Sequence, residues 1–360
     1  MSVRKIYSES PGEDQWQLIL RYAYPHNIFE YLKNNGISDP DDNLVENISG
    51  SILQAKEYYD ASKMSSLHVA PLLLYYGTSN LLFGIANLIK GKVHHIDDHG
   101  MKLKKPKPSM RICDIEIKTL GKKSGALSVF DNVFSNGTDL PNSGLWKNIE
   151  LLGSIPDLLE EFLSCYDDGL PFTIPVEIVK DKKSDLERVA YSSLGRYASV
   201  DDAFSNVNNF SANYLSPQET GKYIILRYRV NSSDIGIYSI AGQKYLPVSH
   251  KKNTKLYNPS LELIIFMVLF SLGFVSRYHP EIWTPFTRND TTGEKLVIEK
   301  LLNYVRRQLP NLVLSRLYNE KLLFVTEQMG LLDLTNSIDK TEVEEIARQE
   351  IQKFLDRQRM

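Results

Sequence analysis

The chain of 360 residues is 42% hydrophobic and 24% charged, an ordinary soluble balance with enough apolar surface for a large core in two domains or one elaborate one. A formal charge of −2 excludes a globally basic nucleic-acid binder and leaves only a local patch for a polyanion. Cys113 and Cys165 are far apart and in no metal spacing, which argues against a disulfide framework and fits a reducing, cytoplasmic compartment.

No apolar run follows the first basic residues, so no secretory signal is expected. The uncharged run at residues 263–276 is too short to span roughly 30 Å of hydrocarbon and reads as a buried helix.

A first helical segment is expected over residues 15–34, ended by Asn35-Gly36. Inside it, Arg21 and His26 stand in Arg-x4-His spacing, which resembles the ribonuclease motif of the HEPN class of helical domains, where an arginine binds the scissile phosphate and a histidine moves the 2′-hydroxyl proton. Pro25 interrupts the helix that should carry both, so a surface turn is the competing expectation. After an acidic loop at residues 39–43, a second helix is expected over 53–63, with Tyr58-Tyr59 toward the core. It forms a helical hairpin with LHVAPLLLYYGTSNLLFGIANLI at 67–89, a helix apolar nearly all round and therefore central. Pro71 suits its first turn, and Gly77 and Gly84, seven apart on one side, let a neighbouring backbone come close.

His94, His95, Asp97, Asp98 and His99 offer imidazole and carboxylate, the ligands of zinc, manganese and iron. Gly91 and Gly100 bracket them as a loop in which they need not converge, so no metal is expected. His99 is instead expected to fix the loop by a hydrogen bond, with Gly100 in a conformation other residues avoid. Lys102, Lys104, Lys105, Lys107 and Arg111 follow with no acidic residue between them, kept extended by Pro106 and Pro108. They form either a solvated surface or a phosphate-contacting edge.

From Ile112 the period shortens. Ile112, Ile115, Ile117, Val129 and Phe130 read as short strands and turns, followed by a helical interlude at 145–166 that Pro156 divides. Strands are expected at 172–180, 222–230, 235–242 and 244–249 in a largely antiparallel module, with 231–234 joining the second and third as a hairpin. The polar stretch 199–221 is a long excursion or lid. Arg227 and Arg229 share a strand face, and Glu177 is a candidate cross-strand partner. From Asn258 the chain reads as helical to its end, with a turn at Pro280 and helices over 261–276, 293–308, 310–329 and 341–359. No phosphate-binding glycine loop, Gly-x-Ser-x-Gly elbow or Cys-x-x-Cys pair occurs.

APLLLYYGTSNLLFGIANL at 70–88, then His99-Gly100, then SRYHPEIW at 276–283 together resemble the YaaC-like family of bacterial proteins. The opening helices are similar to the HEPN class, in which some members are ribonucleases and many are non-catalytic partners or nucleotide binders. The fold class expected is α+β, a HEPN-like helical bundle from the N- and C-terminal thirds (1–110 and 258–360) with a β-rich middle region (111–257). The apolar helices at 67–89 and 261–276 are then neighbours, and His99 and Arg277 meet at their seam.

The expected ligand-binding set, for phosphate or nucleic acid, is His99, Lys102, Lys104, Lys105, Lys107 and Arg277, with no catalytic residue, metal ligand or cofactor. What the resemblance implies is a non-catalytic regulatory or assembly protein that binds a nucleotide, nucleic acid or partner protein in bacterial stress or antiphage defence. A protein partner or homo-oligomer and no membrane are expected. One alternative is a HEPN-type metal-independent RNase using Arg21 and His26; the other is a metal-dependent nuclease or hydrolase using His94, His95, Asp98 and His99.

Overall fold

The computed structural model describes residues 3–37, 40–108, 110–135, 137–180, 185–230 and 232–325. Strand β1 (Val3–Tyr7) leads into helices α1 (Pro11–Leu20), α2 (Pro25–Asn34), α3 (Asp42–Lys63) and α4 (Ala70–Lys90). Short elements follow: β2 (Met101–Leu103), β3 (Glu116–Thr119), α5 (Ala126–Phe134), β4 (Leu145–Lys147), α6 (Asn148–Leu152) and α7 (Leu159–Cys165). Strands β5 (Thr173–Lys180) and β6 (Asp185–Ala190), helices α8 (Val200–Ser205) and α9 (Phe210–Asn213), and strands β7 (Gln218–Thr220) and β8 (Tyr223–Leu226) begin the β module. It continues through β9 (Ile237–Tyr238), β10 (Lys244–Pro247), β11 (His250–Lys252) and β12 (Lys255–Tyr257). Helices α10 (Leu261–Tyr278), α11 (Pro280–Asn289) and α12 (Glu294–Tyr318) and strand β13 (Lys321–Val325) complete the α+β fold.

The hairpin of α3 and α4 is packed through glycine. A Cβ on Gly77 would stand 2.8 Å from the Tyr59 ring, and one on Gly84 would stand 3.0 Å from Ser51 Cβ and 3.3 Å from the Ile48 carbonyl oxygen. Helix α3 starts eleven residues before the expected one, because Asp41 caps it by accepting from the Leu44 N–H at 2.7 Å. On its other side α4 packs against α10, where the Tyr75 ring stacks on Phe266 at 5.7 Å and meets Phe270 edge-on at 5.8 Å. The two apolar helices are thus neighbours. By length and composition both could cross a membrane, and in this fold most of each is buried in protein.

Buried side chains form two clusters. The larger draws on residues 16–166 and 257–324; the smaller, on residues 174–248, belongs to the β module. Residues 112–166 therefore pack with the helices. Glu294, at the start of α12, fastens them there by accepting from the N–H groups of Ile112 (3.1 Å) and Cys113 (2.8 Å) and from the Tyr166 hydroxyl (3.2 Å). Burial, with Glu294 beside it, pushes the Cys113 thiol up and keeps it unreactive.

Several local expectations are corrected. Val129 and Phe130 lie in α5, whose Leu127, Phe130 and Phe134 follow helical steps into the core. The 145–166 segment opens with a strand rather than a helix. Residues 231–234 join no hairpin: the six-stranded sheet runs β7-β8-β6-β5-β10-β9, with β8 and β9 far apart. Asn231 is outside the described residues. Glu177 pairs with Arg188 at 2.7 Å, while Arg227 donates to Gln218 and Arg229 to the carbonyls of Ser211 and Tyr214. Pro310 sits within α12 instead of starting a new helix. The chain past Asn258 is not wholly helical, since β13 pairs in parallel with β1. The helix expected at 341–359 lies outside the described residues.

The β module holds a buried charge cluster. Lys244, 2% exposed, donates to Glu187 (2.6 Å), to Asp234 (2.7 Å) and to the Tyr228 hydroxyl (2.7 Å), and Tyr214 donates to Glu187 at 2.6 Å. Burial works to raise the Asp234 carboxyl, but Lys244 and Lys321 outweigh it and hold it well below the usual range. Between the module and the helices, His250 on β11 is wholly enclosed. Its ring stacks on Phe172 at 3.8 Å, and burial pushes its pKa down to about 3.

Two outcomes follow in unfolding experiments. Gly77→Ala should destabilise by about 1–3 kcal/mol through overpacking against Tyr59, whereas Gly50→Ala in α3, where a Cβ meets nothing within 4 Å, should stabilise by up to about 1 kcal/mol. Denaturant titration of both variants reads the opposite signs. For His250, the unfolded ring binds a proton below about pH 6.5 and the folded ring does not until about pH 3. Proton linkage at this ring therefore costs no stability above pH ~6.5, and stability falls with pH below that, by up to about 1.4 kcal/mol per unit. Unfolding free energies between about pH 6.5 and 5 should show a shallower slope in His250→Gln than in the natural chain.

Candidate functional site

The polar ends of α4 and α10 and the strand β2 meet around one cleft. Gly100 brings β2 there: its φ of 70° suits glycine, and a Cβ would stand 3.1 Å from the Leu127 nitrogen. Asp98 holds the turn by accepting from the Gly100 N–H at 2.7 Å and from Lys122 at 2.5 Å, contacts that lower its carboxyl pKa. His99 is thereby set against α4 and α10.

Tyr75 and His99 Nδ1 are 2.6 Å apart, and the imidazole also lies 5.5 Å from the Phe270 ring. His99 as a residue is exposed, but its ring is packed on these aromatic faces, and this desolvation outweighs Asp98 and lowers its pKa. The imidazole is neutral at neutral pH. Burial raises the Tyr75 phenol, which stays protonated and is the natural donor to Nδ1; this pairing assigns the histidine proton to Nε2.

Arg277 occupies the last turn of α10, where a cation suits the helix dipole. It donates to the Tyr76 hydroxyl at 3.2 Å and lies over the Tyr278 ring at 4.8 Å. The turn into α11 is only partly packed: Trp283 is buried, Tyr278 is exposed, and Arg277 has an aromatic hydroxyl beside it.

His99, Lys102 and Arg277, from segments far apart in the chain, line one cavity of about 310 Å³ with Tyr75, Tyr76 and Phe270. Lys102, Leu103 and Phe274 are shared with an adjoining groove of about 650 Å³, which Lys105, Lys118 and His279 also line. The lysines of the run do not all line one space. Lys102 and Lys105 face the groove, Lys104 borders it but pairs with Glu116 at 2.5 Å, and Lys107 is exposed outside both spaces.

Lys118 was not among the expected residues. It stands directly opposite Lys102 in the β2–β3 ladder, on the exposed face. Like charges in that position repel, an arrangement that favours an anion between them. Among the described residues, Lys102, Lys105, Lys118 and Arg277 have no carboxylate within salt-bridge reach. His279 does, with Glu281 at 2.9 Å.

The other candidate groupings are separate. Arg21 lies in a short turn after α1 and His26 in the first turn of α2, both exposed, with His26 facing Glu30 at 3.5 Å. In the histidine loop, His94 engages Asn87, His95 engages Asp97, Asp98 engages Lys122 and His99 engages Tyr75. Among the described residues, no three His, Cys, Asp or Glu side chains are grouped to hold a metal ion.

Fold and cleft define an α+β protein with an aromatic, cation-rimmed groove where two apolar helices end. The family model described as YaaC-like Protein matches residues 24–317, a span that includes every element of the cleft, and the chain belongs to that family. Comparison with curated proteins returns no match, and neither does comparison with solved structures.

Proposed function

We propose that the protein is a non-catalytic binder of phosphate-bearing, base-stacking ligands, single-stranded nucleic acid foremost, with a regulatory or assembly role. The observation that carries this reading is the pairing of unneutralised cations with aromatic side chains along the cavity and groove: Lys102, Lys118 and Arg277 beside Tyr76, Phe274 and Tyr278. Lysine and arginine attract the backbone phosphates without reading sequence, and aromatic rings accept any base. The groove continuing past the cavity favours a strand over a mononucleotide, because a single nucleotide would leave Lys105 and Lys118 unused.

A neutral His99 bearing a proton on Nε2 supplies a hydrogen-bond donor to the same ligand. In this reading the helices follow the non-catalytic side of the HEPN class, in a cytoplasmic stress or antiphage setting, with a protein partner or second copy completing the assembly. Free Cys113 and Cys165 are compatible with that compartment. The ribonuclease alternative has less support, since Pro25 puts Arg21 and His26 on different elements and both face solvent.

Fluorescence anisotropy with a labelled single-stranded oligonucleotide tests this. Replacing Lys102, Lys118 and Arg277 by Ser should weaken binding and flatten the log-log salt slope by about 0.7 for each phosphate no longer held, while Lys107→Ser should change neither. Tyr76→Ala should cost about 1–3 kcal/mol if a base stacks there. Binding unchanged by the triple replacement, with RNA cleavage that disappears in His26→Ala, would install the ribonuclease reading instead.

A further inference from the structure

A second cavity, of about 330 Å³, lies on the far side of α10, between the helices and the β module. The start of α10, the second half of α12 and strands β9 and β13 surround it, and His250 closes one end. Its charged lining groups are each neutralised. Glu262 accepts from Arg316 at 2.8 Å, and Lys321 donates to Asp234 at 2.8 Å. Unlike the cleft, it has no spare cation among its described lining residues.

Three of its lining residues carry buried polar atoms without a partner: His250 Nδ1, Ser260 Oγ and Asn311 Oδ1. Hydrogen accounting fixes the character of two of them. Ser154 gives its proton to the Glu150 carbonyl at 2.7 Å, so at 2.9 Å it accepts from His250 Nε2, and Nδ1 is left as a bare lone pair. Stacking on Phe172 and edge contact with Trp146 at 4.7 Å keep the imidazole from turning. Asn311 spends its amide N–H on the Leu322 carbonyl at 2.9 Å, which leaves its oxygen as the second acceptor. His250 is 2% and Asn311 7% exposed, so each unpaired acceptor costs about 1–3 kcal/mol.

We propose that this cavity binds a small, uncharged, amino-bearing heteroaromatic molecule, a nucleobase or its nucleoside, with N–H groups directed to His250 Nδ1 and Asn311 Oδ1 and the Ser260 hydroxyl as a third contact. Charge balance rules against an anion. The apolar walls, among them Phe134, Phe172, Ile237 and Leu312, suit the faces of a flat ring better than a polyol. A size of about 330 Å³ is at the lower end of small-molecule sites. The proposal is independent of the nucleic-acid reading of the cleft.

The experiment uses the full chain carrying Lys102→Ser, Lys118→Ser and Arg277→Ser, so that the cleft's cations play no part, and titrates it with adenine, cytosine, adenosine and cytidine, with sorbitol as the polyol comparison. The expected result is one bound base or nucleoside per chain, a raised melting temperature, and a shift of the His250 Nδ1 resonance in nitrogen-15 NMR as its lone pair gains a donor. Asn311→Leu should lower the affinity about tenfold or more; Ser260→Ala, at the less buried edge, provides the same readout with a smaller drop if the first variant fails to fold. Binding of none of the four up to millimolar concentration, binding that leaves the His250 resonance in place, or a preference for sorbitol would each overturn the proposal and leave a cavity filled by water alone.

Discussion

The contact between α4 and α10 is the constraint from which the rest of the structure follows. Both helices are apolar nearly all round, so each must be covered on every side, and α10 covers the side of α4 that α3 leaves open. Tyr75 is the hinge of that contact: its ring lies against Phe266 and Phe270, while its hydroxyl reaches out to His99. One residue thus belongs to the core and to the cleft. The same geometry puts Tyr76 one position further along, facing Arg277 from the end of α10.

Charge is distributed in two contrasting ways. Inside the β module and at one helix junction, buried ions are matched by opposite charge: Lys244 with Glu187 and Asp234, Arg316 with Glu262. Removing one member of such a pair strands the other in a medium that solvates it poorly, so these groups are structural commitments. At the cleft Lys102, Lys105, Lys118 and Arg277 are exposed, with no carboxylate in salt-bridge reach among the described residues. A protein with a net charge of −2 concentrates positive potential at one place by this means.

Much of this was legible in the sequence wherever one residue type had a single physical use. The apolar period of α4 and α10, the close approach through Gly77 and Gly84 and the left-handed Gly100 followed from local pattern, whereas the expectation that His99 and Arg277 share one seam rested on the family resemblance. Pairings across long sequence separations were not legible. Strand β13 finds β1 at the other end of the described chain, and Lys118 becomes part of the groove only through the β2–β3 register. Lys104 is neutralised by Glu116, a partner that a one-dimensional count of lysines cannot show. Helix α5 was obscured by the glycines around it, and Pro310 fails to stop α12 because the helix is held by buried residues on both sides of it.

The most direct test of the central claim, that the ligand enters where α4, α10 and β2 converge, is hydrogen exchange measured with and without a single-stranded oligonucleotide. Protection concentrated in residues 99–105, 116–119 and 270–279 is the predicted result. Protection confined to residues 21–30 around Arg21 and His26, with the cleft segments exchanging as before, would contradict it.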